Sequence, residues 1–319
     1  MSFVKILVPV AGAGRDRFAL ATAFAAAKPF NAHVVALFVH ADPREVVPYG
    51  ELPLSPDIVQ DLIDTAADLE KASSKAARST LATLAAEAGI RIVGAPQKAD
   101  AVTVSYDEVT GHLSRALDRE ALLSDLVVFP PIRETDDVDI QDGFIRALTK
   151  LERPVLLSAE KSPEQIGRKV AVGWDGGVAC AHALMSALPY LKKSEAIELL
   201  TVQNGPHQGR GAESVAAYLA LHGLACSQLV LARGERNVAE VLLETAADDG
   251  CDMLVAGGYG HSRLMESIFG GVTEHIVSHP KIPVFMMHRA ASETPALSAV
   301  FSPFALAFFL RDCRLLSRG

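Results

Sequence analysis

Four glycines, Gly257, Gly260, Gly270 and Gly271, bracket a segment that carries His261 and Arg263 and runs on into Val272-Thr273-Glu274. Glycine lets a backbone turn freely and come close to a ligand. The segment follows an apolar run, Met253 to Ala256, and precedes a predicted helix. The amides of Gly270, Gly271, Val272 and Thr273 would lie at that helix start, where aligned peptide dipoles favour an anion by about 0.3–1 kcal/mol per charge. Arg263 would grip phosphate oxygens in a planar fork, and His261 adds a second cationic contact. The chemistry is therefore anion capture, with phosphate the natural guest. The same glycines would also serve a plain turn that holds a strand against a helix. No GK[ST] follows them, so this is not a Walker loop, and no GxGxxG stands after the first strand.

The elements that must carry this segment show themselves by repetition. Lys5-Ile6-Leu7-Val8-Pro9-Val10 is echoed by Lys169-Val170-Ala171-Val172-Gly173-Trp174. Asp125-Leu126-Val127-Val128-Phe129 is echoed by Asp252-Met253-Leu254-Val255-Ala256, and Arg153-Pro154-Val155-Leu156-Leu157 by Ile282-Pro283-Val284-Phe285-Met286. The order is the same in both halves, so the chain reads as a tandem repeat. The first half predicts strands at 3–10, 33–39, 90–94, 125–130 and 153–158, and helices at 15–28, 56–88, 111–123 and 139–150. The second predicts strands at 169–174, 196–202, 225–231, 252–257 and 282–288, and helices at 178–190, 211–223, 235–249 and 271–279. The strands are continuously apolar, as parallel strands covered on both faces must be. Alternating strands and helices imply right-handed crossovers. The expected fold class is α/β: two tandem doubly wound domains with five-stranded, mainly parallel, Rossmann-like sheets. Ligands of such sheets bind beyond the C-terminal strand ends, near the switch in strand order. The expected boundaries are a domain over 1–160, a polar linker, a domain over 167–290, and an apolar tail over 291–319. A proline-rich insertion at 40–57 reads as a surface loop.

This pattern resembles the universal stress protein family. Its signature, G-x2-G-x9-G-[ST] after the fourth strand, is met by Gly257, Gly260 and Gly270, and the downstream Pro283-Val284 is also similar. The resemblance covers the second half nearly end to end and the first more faintly. It implies an adenine nucleotide, ATP or a relative with or without Mg²⁺, held by Gly257, Gly260, His261, Arg263, Gly270, Gly271, Val272 and Thr273. It also implies that Asp175, in Trp174-Asp175-Gly176-Gly177, contacts the nucleoside end of the ligand. An aspartate there serves equally as a cap for the following helix. Gly271 stands where nucleotide-binding members carry Ser or Thr, so that hydroxyl is missing, and Thr273 is the nearest replacement. The first half has no acidic residue in Pro9-Val10-Ala11-Gly12. After its fourth strand comes Pro130-Pro131-Ile132-Arg133-Glu134-Thr135-Asp136-Asp137, whose prolines remove amide donors and whose three acidic residues repel phosphate. It reads as a degenerate, structural or regulatory copy. The halves are expected to pack as an internal pseudo-dimer, with a homodimer of whole chains and unidentified protein partners beyond that.

The 319 residues are 50% hydrophobic and 21% charged, with net charge -8 and no basic block, which argues against a nucleic-acid surface. Cys180, Cys226, Cys251 and Cys313 form no CxxC pair and read as reduced thiols. The start is expected to be a strand rather than a signal peptide, which points to the cytoplasm. The run 297–310 is too short to span a bilayer and is broken by Pro303; it reads as a helix docking on the protein's own surface or a partner, with a membrane-surface segment and an atypical extension as the alternatives. His275 and His279 share a helical face, but a third metal ligand is not evident. There is no GxSxG elbow, and Trp174-Asp175-Gly176-Gly177-Val178 does not match the S-G-G-x-D-S loop of ATP-pyrophosphatase-like enzymes. No general base stands beside a metal-binding partner. The expected function is a stress-response regulatory module that binds an adenine nucleotide and is not an enzyme. The alternatives are a nucleotide-free interaction module and a slow ATP-hydrolysing enzyme.

Overall fold

In the computed structural model the described residues are 2–42, 55–133, 136, 138–203, 211–258 and 271–288, with Val138 and 271–274 described by backbone alone. The first half runs β1 (Lys5–Val10), α1 (Asp16–Ala27), β2 (His33–His40), α2 (Pro56–Glu87), β3 (Arg91–Ile92), β4 (Thr103–Thr110), α3 (Leu113–Glu120), β5 (Leu126–Phe129), α4 (Val138–Ile145) and β6 (Val155–Leu157). A π-helical turn, Arg146–Lys150, extends α4. The second half runs β7 (Lys169–Gly173), α5 (Val178–Leu191), β8 (Ala196–Gln203), α6 (Ala212–Leu221), β9 (Ser227–Ala232), α7 (Val238–Asp248), β10 (Met253–Gly257), α8 (Gly271–Ser278) and β11 (Val284–Met287).

Among the described residues eleven strands join in one sheet, in the order β3-β4-β2-β1-β5-β6-β11-β10-β7-β8-β9. Every pairing is parallel except β6 with β11, which run antiparallel with Phe285 opposite Leu156. The α/β, doubly wound, mainly parallel reading therefore holds, and the second half has its five strands. The first half has six. The extra strand is β4, Thr-Val-Ser-Tyr-Asp-Glu-Val-Thr, whose later residues are only half-buried and include Asp107 and Glu108. Near a sheet edge a strand needs no continuous apolar run, and that is why the apolar-run criterion passed over it. The strand expected at 90–94 contracts to Arg91–Ile92.

The sheet has two apolar faces. One is covered by α1, α2, α5 and α6, and the other by α3, α4, α7 and α8. Each layer runs through both halves. At the join, Phe3, Phe30 and Tyr190 cluster with centroids 4.9–5.3 Å apart, and Phe285 of β11 closes the group. The Tyr190 hydroxyl donates to the Ala26 carbonyl at 2.9 Å, tying α5 to α1. Local signals set the helix ends. Asn237 accepts from the Ala239 amide at 2.9 Å, and Glu240 reaches back to the Asn237 amide, so a capping box starts α7.

His33 is a buried polar residue in this core. Its ring nitrogens contact Thr103 Oγ1 at 2.8 Å and Ser105 Oγ at 3.2 Å. Burial holds its pKa below the usual 6.5, and the nearby Asp107 offsets this only in part. The unfolded chain therefore takes up the proton first as pH falls. The stabilisation from neutral His33 is present above about pH 6.5 and is lost as pH drops through the folded value. The urea midpoint is expected to fall between pH 7 and pH 5, and His33→Gln is expected to flatten that slope. An unchanged slope in the variant would assign the pH dependence to other groups.

Candidate switch-point site

The crevice forms where the crossovers diverge. From β7 the chain passes through α5 to β8 on one side, while β10 lies on β7's other side. These strands are parallel neighbours with Val172 opposite Val255, so their C-terminal ends open together. Trp174-Asp175-Gly176-Gly177 leaves one strand and Gly257-Gly258 leaves the other. The structure thus brings Asp175 and Gly257, which are 82 positions apart in the sequence, to one edge of the sheet. This is the topological position where open α/β sheets hold ligands.

Asp175 has a local task there. Its Oδ1 accepts from the Gly177 amide at 2.6 Å, which turns the chain into α5, and Gly176 between them has φ +79°. That backbone region suits glycine and strains most other residues. Asp175 thus shapes the turn that enters α5, but the N-cap itself is Gly177, which has no side-chain cap. Behind it, burial first and the Asp175 charge second push the Cys180 thiol up to about 12. A thiol so shifted stays protonated and serves as packing, not as a nucleophile.

Gly257 also has a structural task. A Cβ at this position would lie 2.6 Å from the Cys180 amide nitrogen and 2.8 Å from the Ala179 carbonyl carbon. The first turn of α5 therefore rests directly on the end of β10. At Gly258 a Cβ would meet Leu148 Cδ2 at 2.9 Å, so the root of the loop packs on the first half. The Gly258 amide donates to Met287 O at 3.0 Å, and its carbonyl meets His288 Nδ1 at 2.9 Å. The helix that closes the segment, α8, begins at Gly271, with Val272 and Thr273 in its first turn, where free amides are expected. The Ile132 amide of the first half donates to Val277 O of α8 at 3.0 Å, so the first half also steadies this helix. Gly260, His261, Arg263 and Gly270 lie outside the described residues.

A groove of about 370 Å³ adjoins the end of β7 between α5 and α6, lined by Trp174, Val178, Met185 and Tyr218 among others. Sequence reading had not singled out these side chains for the site. The signal was an aromatic residue immediately before Asp175. His275 and His279 stack with centroids 5.4 Å apart, and His275 Nε2 is 4.0 Å from Glu240. Among the described residues no group of three His, Cys, Asp or Glu side chains could hold a metal ion.

The corresponding end of β1 is filled by the protein itself. Buried Asp16 accepts from the Gly12 amide at 2.7 Å and from the Ala11 amide at 3.1 Å. A carboxylate already satisfies the donors that an incoming anion would need. Arg15 donates to Pro131 O at 2.8 Å and pairs with Asp136, which also accepts from the Arg133 amide at 2.8 Å. These contacts lash the loop after β5 to the loop after β1. Gly12 sits under α2 so closely that a Cβ there would lie 2.2 Å from Ser73 O. Among the described residues, the amides at the end of β1 are thus already taken by the protein's own carboxylate.

Residues 167–288 match the universal stress protein family. The second half of this chain is a universal stress protein domain. A universal stress protein from Archaeoglobus fulgidus is 11% identical, covers 91% of this chain and 97% of its own, and superposes with a TM-score of 0.60. A putative universal stress protein from Pseudomonas aeruginosa is 14% identical over 89% of this chain and 93% of its own, with a TM-score of 0.50. At these identities the likeness is one of fold, and it extends over both halves. A universal stress protein solved in complex with cAMP is 17% identical and spans 50% of this chain, with a TM-score of 0.31. No curated protein matches the sequence. Among the described residues no helix is long and apolar enough to cross a membrane.

Proposed function

We propose that the universal stress protein domain binds one adenine nucleotide, ATP or a relative, across the C-terminal ends of β7 and β10. The carrying observation is the convergence of Asp175 and Gly257 at the switch point, beside an open groove. Asp175 would accept hydrogen bonds from the nucleoside. The phosphates would follow the segment 257–271 towards the start of α8, where Gly271, Val272 and Thr273 offer amides and Arg263 and His261 offer charge. Mg²⁺ would accompany a triphosphate as its counter-ion. The chain then acts as a regulatory module in a stress response, not as an enzyme, and in the cytoplasm. Occupancy shifts its behaviour only if one arrangement of the segment binds nucleotide better than another.

A second reading has an observation of its own. The packing of α5 on β10 requires glycine at 257 with or without a ligand. On that reading the domain is a nucleotide-free interaction module. Calorimetric titration of nucleotide-stripped protein with ATP and Mg²⁺ separates the two. Saturable binding near one site per chain is expected, weakened by roughly tenfold or more in Asp175→Ala, as for loss of a hydrogen bond to a charged group. Absence of binding at millimolar ATP would leave the interaction module standing.

A further inference from the structure

The two outer edges of the sheet are built differently. At the first-half edge the last strand, β3, is only Arg91–Ile92, and the β4 residues beyond its reach include Asp107 and Glu108. A very short edge strand and charged residues are devices that prevent strand addition. The second-half edge has neither. There β9, Ser-Gln-Leu-Val-Leu-Ala, pairs with β8 over its full length, from Glu198 opposite Ser227 to Gln203 opposite Ala232. It carries no charge and no proline. Five of its six residues are exposed, Val230 by 62%. Among the described residues no strand pairs with its outer side. In a parallel pair alternate residues direct their N–H and C=O groups away from the neighbour, so β9 offers an unused ladder.

We propose that β9 is a self-association edge that pairs antiparallel with β9 of a second copy of this chain about a twofold axis. The chain already uses this geometry internally, because antiparallel edge pairing of β6 with β11 joins its halves. The strand is also self-complementary. With Val230 of one copy opposite Val230 of the other, Leu231 faces Leu229, Ala232 faces Gln228 and Arg233 faces Ser227, so no like charges meet across the axis. The two exposed Val230 side chains become cross-strand neighbours and Leu229 meets Leu231, the pairing of β-branched and aliphatic side chains that stabilises sheets. Two chains then share one continuous sheet with a guarded edge at each end.

The test is sedimentation equilibrium over a wide concentration range, for the full chain and for Val230→Lys. Val230 is largely exposed, so a lysine there should leave the fold intact, while a self-pair brings two lysines together. The full chain is expected to approach twice its own mass as concentration rises, and the variant to associate roughly tenfold or more weakly. Hydrogen exchange supplies a readout that needs no substitution: amides in 227–232 should become more protected as wild-type concentration rises. A wild-type monomer throughout, or a dimer unaffected by Val230→Lys with no change in exchange at 227–232, would overturn the proposal. In the first case the edge is left for an extended peptide of another protein.

Discussion

Replacing Tyr190 with alanine is expected to lower the unfolding free energy by about 3–5 kcal/mol, the usual cost of truncating a large buried aromatic residue. The ring is fully buried and touches Phe3 and Phe30 of the first half and Phe285 of β11. Truncation opens a cavity there, because the neighbours are themselves anchored and cannot collapse into it. It also removes the donor to the Ala26 carbonyl. The control is Tyr190→Phe, which keeps the ring and loses only the hydroxyl, so a cost of about 1 kcal/mol is expected. Urea unfolding followed by far-ultraviolet circular dichroism and by intrinsic fluorescence measures both. If Tyr190 holds the halves together, the two probes should separate in Tyr190→Ala and coincide in wild type. An alanine variant within about 1 kcal/mol of wild type would mean that the pairing of β6 with β11 and the other contacts between the halves carry the join without Tyr190.

Gly257→Ala is the second large effect, expected to cost about 1–3 kcal/mol. The added methyl would meet backbone atoms of Ala179 and Cys180. Backbone cannot rotate aside as a flexible side chain can, so α5 must shift off the end of β10. The loss should appear without any nucleotide present. In this position a residue of the binding signature is also a packing requirement, and reduced nucleotide binding by such a variant would not by itself show contact with ligand. Asp175→Ala is the cleaner probe of binding, because its local loss is one hydrogen bond to the Gly177 amide. Unchanged thermal stability of Gly257→Ala would show that α5 can move away at little cost.

Much of the fold was legible along the chain. Buried parallel strands such as β1 and β7 are short apolar runs whatever their context, so their type and order could be read directly. The helix expected at 235–249 is α7, Val238–Asp248, and the capping box that sets its start, Asn237 with Glu240, is a local signal that the reading of the sequence did not use. What failed was β4, whose charges suit an edge and mimic a loop. The candidate site was legible as a motif in 257–271 and as an aspartate after β7, and the structure sets Asp175 and Gly257 at the C-terminal ends of neighbouring parallel strands. The closure of the first half was only partly legible. Its acidic and proline-rich loop could be read, but the pairing of Arg15 with Asp136 spans 121 positions and leaves no local trace. The same holds for Asp16, whose capture of the Ala11 and Gly12 amides depends on how α1 leaves β1.

By itself the sequence determined the tandem repeat, the alternation of strands and helices, and the glycine segment, because each rests on side-chain periodicity or backbone freedom within a short window. Only the tertiary structure decided that the halves fuse into one sheet through antiparallel β6 and β11, that Tyr190 bridges them, that Asp16 takes the amides at the end of β1, and that, among the described residues, one sheet edge is guarded and the other bare. Those outcomes depend on which distant surfaces meet. Backbone hydrogen-bonding groups are the same in every residue, so no local pattern announces which strand edge will find a partner.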